Sequence, residues 1–164
     1  MKILNLSAAM ALVAAPAFAD IHVTGDAEAG KDVFAKQCIS CHVVVNDDGE
    51  TLAGRKSKTG PNLYGVAMGK VGGRDDYRYG KSMVEAGDAG HIWTEENFVA
   101  YVQNPKEWLQ TTLDDKKARA KMSFRVRDAE DAINLYAYLA AIGPEIEMEE
   151  DAEADSDMAP APSN

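Results

Sequence analysis

Five consecutive residues constrain this chain more than any others: Cys38-Ile39-Ser40-Cys41-His42. They contain both of its cysteines. The spacing C-x-x-C-H is the pattern of covalent haem attachment. Two thiols must reach two vinyl groups on one porphyrin edge, and the adjacent histidine must then pass under the iron. A short helical turn presents all three groups to one side. A chain loaded in this way has part of its core supplied by a macrocycle. Three other uses of the motif fit less well. A thioredoxin-like dithiol needs a βαβ pattern, which is not visible here. A zinc site needs about four ligands, and the only other histidines are His22 and His91. A disulfide between cysteines three apart closes almost no loop. The motif occurs once, so one covalent haem c per chain is expected.

The two ends differ from the middle. Lys2 precedes a mostly apolar run over 3–13, and Pro16 precedes Ala17-Phe18-Ala19, an A-x-A pattern. This predicts an export leader over 1–19, cleaved before Asp20. The run is shorter than the ~20 apolar residues a bilayer span needs. Residues 144–164 hold eight acids and no basic residue. That composition cannot bury enough apolar surface to offset ordering, so it predicts an acidic disordered tail. The whole chain has 17 basic and 27 acidic residues, a formal charge of −10, which disfavours nucleic-acid binding. Over 20–143 the balance is 16 against 19, net −3. These 124 residues suffice for one domain with a core.

His42 leaves one axial position of the iron to be filled. In an electron carrier a second histidine or a methionine usually closes it. Met1 and Met10 lie in the leader, and Met148 and Met158 in the acidic segment. Met68, Met83 and Met122 remain. A lone methionine is more often core filler than a ligand. Position favours Met122, in Lys121-Met122-Ser123-Phe124, where a loop ahead of the last helix can fold over a cofactor. If the position were open, a haem enzyme or gas sensor would be the alternative function.

The order of further motifs carries a resemblance. Gly30-Lys31-Asp32-Val33-Phe34 precedes the haem pentapeptide. Lys58-Thr59-Gly60-Pro61-Asn62-Leu63-Tyr64-Gly65 follows it. Trp93-Thr94-Glu95-Glu96-Asn97, Tyr101, Asn104-Pro105-Lys106 and Lys121-Met122-Ser123-Phe124 come next, and Leu135 to Leu139 closes the set. Over about residues 26–142 the chain resembles class I cytochromes c, of the large soluble bacterial c2 type related to the mitochondrial protein. The resemblance implies an all-α fold, with N- and C-terminal helices packed together around one haem and long loops between. It implies thioethers from Cys38 and Cys41 and axial ligation by His42 and Met122. It implies that the Pro61 carbonyl accepts a hydrogen bond from His42. Tyr79 and Trp93 would bond a haem propionate, and Tyr101 would lie beside the Met122 sulfur. Gly30 and Phe34 would pack on the last helix near Leu135 and Leu139. Three departures stand out. No arginine follows the Gly-Pro-Asn-Leu segment until Arg74. Residues 109–119 form an insertion relative to the mitochondrial type, and 43–57 is longer than the minimal form.

Local signals agree with this outline. Asp26 can cap a helix to about Gln37, and Thr94 can start another carrying Phe98, Tyr101 and Val102. Pro105 can open a short helix with Trp108 and Leu109. Asp128 with Asp131 resembles a capping pair for the last helix, which Gly143-Pro144 stops. No long alternating strand pattern is present.

The expected function is a periplasmic, monomeric one-electron carrier, not an enzyme. The resemblance suggests a cytochrome bc complex as donor, and a reaction centre, terminal oxidase or reductase as acceptor. Between Lys106 and Arg127 seven basic residues face three acidic ones. This run brackets Met122 and suits transient docking at the haem edge.

Overall fold

The computed structural model describes residues 23–145. The expected leader, and the acidic segment beyond Glu145, lie outside these residues. So do His22, Met148 and Met158.

The described chain runs α1 (Ala27–Gln37), β1 (Val43–Val45), β2 (Thr51–Gly54), α2 (Lys81–Asp88), α3 (Glu95–Gln103), α4 (Pro105–Thr112) and α5 (Ala129–Ala141). The capping residues account for four of the five helix starts. The Asp26 carboxylate accepts from the Glu28 and Ala29 amides, and Thr94 Oγ1 accepts from Asn97. Asn104 closes α3 and its side chain then accepts from the Glu107 amide, with Pro105 opening α4. Asp128 accepts from Glu130 and Asp131. The expected reciprocal bond from Asp131 is not formed. Its carboxylate instead accepts from Gln37 Nε2 at 2.9 Å, tying the end of α1 to the start of α5.

The α1–α5 pair forms the frame. Asn134 is the one buried polar residue among those described. Its Oδ1 accepts from the Asp26 amide at 2.7 Å, so both ends of α1 are bonded to α5. Gly30 permits the close approach: a Cβ there would sit 1.9 Å from the Asn134 carbonyl oxygen and 2.8 Å from Tyr138 Cβ. Its partners on α5 are therefore Asn134 and Tyr138, beside the expected Leu135 and Leu139. Phe34 leans on Tyr138 with ring centroids 5.8 Å apart. Phe34, Leu135, Tyr136 and Leu139 are almost wholly enclosed. Each such side chain contributes about 1.5–3 kcal/mol by burial.

Two elements were not legible in the long stretch 43–90. One is the hairpin β1–β2, antiparallel with Val43 opposite Gly54 and Val44 opposite Ala53. It is too short for a period to show. Asn62 extends it, accepting from the Val45 amide and donating to the Val45 carbonyl. The other is α2, whose Gly87 lies so close to residue 71 that a Cβ would meet the Val71 oxygen at 1.9 Å. The insertion is also redistributed. Residues 109–112 extend α4, and the irregular loop begins at Leu113. No helix among the described residues is long and apolar enough to cross a membrane.

Candidate functional site

Helix α1 delivers the pentapeptide. Cys38 caps the helix, its amide donating to the Phe34 carbonyl. The amides of Cys41 and His42 then both donate to the Cys38 carbonyl, at 3.0 and 2.9 Å. This tight turn sets Cys38, Cys41 and His42 on one wall of a cavity of about 1090 Å³. The thiols are not joined to each other. Burial, with Cys41 a lesser cause, pushes the Cys38 thiol up to about 12.

The facing loop is laced to this turn. The Gly60 amide donates to the Cys41 carbonyl at 2.8 Å, and the Leu63 amide to the Val43 carbonyl at 2.9 Å. The same lacing brings His42 Nδ1 to 2.9 Å from the Pro61 carbonyl. The carbonyl can only accept, so Nδ1 carries the proton and Nε2 keeps its lone pair. Burial also shifts the imidazole below its usual range, opposed in part by the Pro61 bond. Both effects suit a neutral, oriented metal ligand.

Gly60, which precedes Pro61 in the facing loop, shapes the site. A Cβ there would lie 2.4 Å from His42 Cε1 and 2.7 Å from Nδ1. Gly60→Ala is therefore expected to displace the ring and weaken its bond to Pro61. Overpacking of this kind costs about 1–3 kcal/mol. Thermal denaturation alongside an absorption spectrum would check it; an unchanged melting temperature and an unchanged spectrum would refute it.

All eight residues singled out from the sequence line the one cavity: Cys38, Cys41, His42, Pro61, Tyr79, Trp93, Tyr101 and Met122. Trp93 is held on both sides. Its amide donates to Gly69, and its carbonyl accepts from the Met68 amide and, at 3.0 Å, from the buried Tyr136 hydroxyl. Tyr101 packs against Trp93 with centroids 5.0 Å apart and the rings tilted by 57°. Burial raises the Tyr101 hydroxyl pKa and pushes that of Tyr79 up to about 12. Both phenols thus remain proton donors at neutral pH.

Of the three candidate methionines, Met122 and Met83 line the cavity and Met68 does not. His91 is also absent from the wall and sits edge-on to Trp108 at 6.2 Å. Met83 belongs to α2, is 7% exposed and packs against Gly72. Met122 belongs to the loop between α4 and α5.

Arg74 settles where a cation stands. Its Nε and Nη2 clasp Asp76 at 3.0 and 3.1 Å, and Nη1 donates to the Tyr64 carbonyl at 3.3 Å. It lines the cavity with Tyr79. The hydrogen bond to Asp76 raises its pKa and lowers that of Asp76. Three residues separate Arg74 from Lys70, and the sequence alone could not show that the turn at 70–73 brings it back to the wall.

The donor set therefore suits a large, flat, apolar ligand with a metal at its centre: two thiols and an oriented imidazole on one wall, a thioether on a loop, and aromatic side chains between. Comparison with known proteins agrees. A cytochrome c family model matches residues 27–143. Cytochrome c2 of Rhodovulum adriaticum is 51% identical over 123 residues, covering 75% of this chain and 97% of the relative. Cytochrome c-551 of Roseobacter denitrificans is 46% identical over 134 residues, covering 82% and 90%. The crystal structure of cytochrome c2 from Rhodobacter sphaeroides superposes with a TM-score of 0.70 at 48% identity, over 72% of this chain and 96% of that one. With the pentapeptide, the α1–α5 frame and these similarities in agreement, the chain belongs to the cytochrome c family, with the class I fold and one covalently attached haem c, and is an electron-carrier cytochrome.

Proposed function

We propose that this chain is a soluble periplasmic one-electron carrier, not an enzyme. In this reading Cys38 and Cys41 form the thioethers, and His42 and Met122 are the axial ligands. The observation that carries it is the convergence of His42 and Met122 on one apolar cavity from distant segments, with the imidazole locked by Pro61. When bound, haem supplies a one-electron iron couple. His42 and Met122 would both hold its iron, so little would rearrange between oxidation states. Thioether ligation and an apolar wall favour the reduced state and a high potential. Arg74 and Tyr79 would face the haem carboxylates, taking the place of the missing earlier arginine. Residues 1–19 would act as a cleaved leader, 20–143 as the cytochrome domain and 144–164 as an acidic tail.

The test is an absorption spectrum of the oxidised and reduced protein. The weak near-infrared sulfur-to-iron band should be present in the oxidised form. A high-spin spectrum without it would defeat the assignment and favour an open-site enzyme or sensor.

The partners would be a cytochrome bc complex as donor, and a reaction centre, terminal oxidase or reductase as acceptor, met by a monomer. Arg119 and Lys121 stand at the cavity wall. Lys106, Lys116, Lys117, Arg125 and Arg127 are exposed, and none of the seven pairs with a described carboxylate. Such a surface steers acidic partners. Reversing Lys106 and Arg119 to Glu should slow association with such an acceptor on the order of ten-fold at low ionic strength, and less as salt rises. Stopped-flow rates across ionic strength would check this; an unchanged rate and salt slope would defeat docking through this face.

A further inference from the structure

The segment carrying Met122 is fastened at three places. Downstream, the Val126 amide donates to the Val102 carbonyl of α3 at 2.9 Å. Next to the methionine, Lys121 Nζ donates to the Arg78 carbonyl and lies 5.5 Å from the Tyr77 ring centroid. Upstream, the Arg119 amide donates to Ser82 Oγ at 3.1 Å. Between the last two fastenings and Val126, residues 122–125 make no hydrogen bond among the described residues.

The Ser82 contact differs in kind from the one at Val126. That bond joins two backbone groups and survives most substitutions. The upstream bond exists only because residue 82 carries a hydroxyl. Ser82 also stands beside Met83 in the first turn of α2. Met83 lines the cavity while Ser82 Oγ meets the loop, so adjacent residues join one helix to both. Gln110 Nε2 shapes the chain just before this point, donating to the Lys116 carbonyl at 2.5 Å.

We propose that Ser82 is a positioning residue for the sixth ligand. Its hydroxyl holds the loop three residues before Met122, and so sets the fraction of time the Met122 thioether spends away from its place. The inference rests on the reading of Met122 as that ligand. Loops open locally at a cost set by the contacts they lose. A competing ligand can enter only the open form, so its apparent affinity scales with the open fraction. Losing one hydrogen bond of ordinary net strength should raise that fraction about three- to ten-fold.

The experiment is a titration of the oxidised holoprotein with imidazole at fixed pH, followed by loss of the sulfur-to-iron band. Ser82→Ala should bind imidazole about three- to ten-fold more tightly than the unmodified protein. Ser82→Thr keeps the acceptor and should stay within about two-fold of it. Thr24→Val serves as the control. It removes the Thr24 hydroxyl bond to Glu95, in which no residue of 113–127 takes part. It should lower the melting temperature without changing imidazole affinity. Equal affinity for Ser82→Ala and the unmodified protein would overturn the proposal, as would the same rise in Thr24→Val. If the unmodified protein shows no sulfur band, the Met122 assignment itself has failed and the proposal falls with it. If the band is present and only the Ser82→Ala response is missing, the role of Ser82 alone fails.

Discussion

Met122→Ala is expected to abolish the sulfur-to-iron band, turn the oxidised protein high-spin and let small ligands bind the iron. The reduction potential should fall by on the order of 0.1 V or more, within the ~0.8 V that axial ligation spans. Of the methionines and histidines described, only Met83, Met122 and His42 line the cavity. Met83 is fixed in α2 with its neighbours Ala86 and Gly87 buried. Met122 lies on a span, 122–125, that makes no hydrogen bond among the described residues, free to take the geometry a metal requires. Met83→Ala is the matched control. It should cost about 2–5 kcal/mol of stability as a buried truncation and leave the band in place. The reverse pattern, with the band kept in Met122→Ala and lost in Met83→Ala, would exchange their roles.

Gly30→Ala should be the most destabilising small substitution in the frame. Two effects oppose each other. Alanine in a helix interior is favoured over glycine by about 1 kcal/mol. Against this, the new Cβ would stand 1.9 Å from the Asn134 oxygen and 2.5 Å from its carbonyl carbon. Those atoms are backbone of α5 and cannot rotate away. Relief requires the two helices to separate, which would strain the Asp26–Asn134 and Gln37–Asp131 bonds together. Overpacking of this kind costs about 1–3 kcal/mol and sometimes more. We expect a net loss of about 2 kcal/mol, the upper end of that cost less the helix gain, and a fall in melting temperature of roughly 6–10 °C. A melting temperature equal to or above that of the unmodified protein would show that the crossing can slide.

Much of this was legible in the sequence because it is local. Asp26, Thr94, Asn104 and Asp128 cap helices within three residues of themselves, so their effect follows from spacing alone. The pentapeptide is equally local: one turn suffices to set two thiols and an imidazole side by side. The hairpin at 43–54 and helix α2 were not legible. The strands are three and four residues long. Helix α2 has no side-chain cap, starting from Gly80.

The site divides along the same line. That one haem is bound followed from the sequence by itself, because two thiols and an imidazole at C-x-x-C-H spacing form a local pattern; Met122 was one of three methionines there, and the parts of Pro61, Tyr79, Trp93 and Tyr101 came only with the resemblance. The resemblance already implied the His42–Pro61 bond, but the packing that makes it, and the other pairings, were decided in the tertiary structure. The Pro61 carbonyl faces Nδ1 because Gly60 leaves room for the ring. Arg74 reaches the cavity through a turn, Asp131 bonds Gln37 instead of its own helix start, and Ser82 meets a loop 37 residues away. Such contacts join segments far apart in the chain, and nothing in local spacing encodes a distance that packing alone creates.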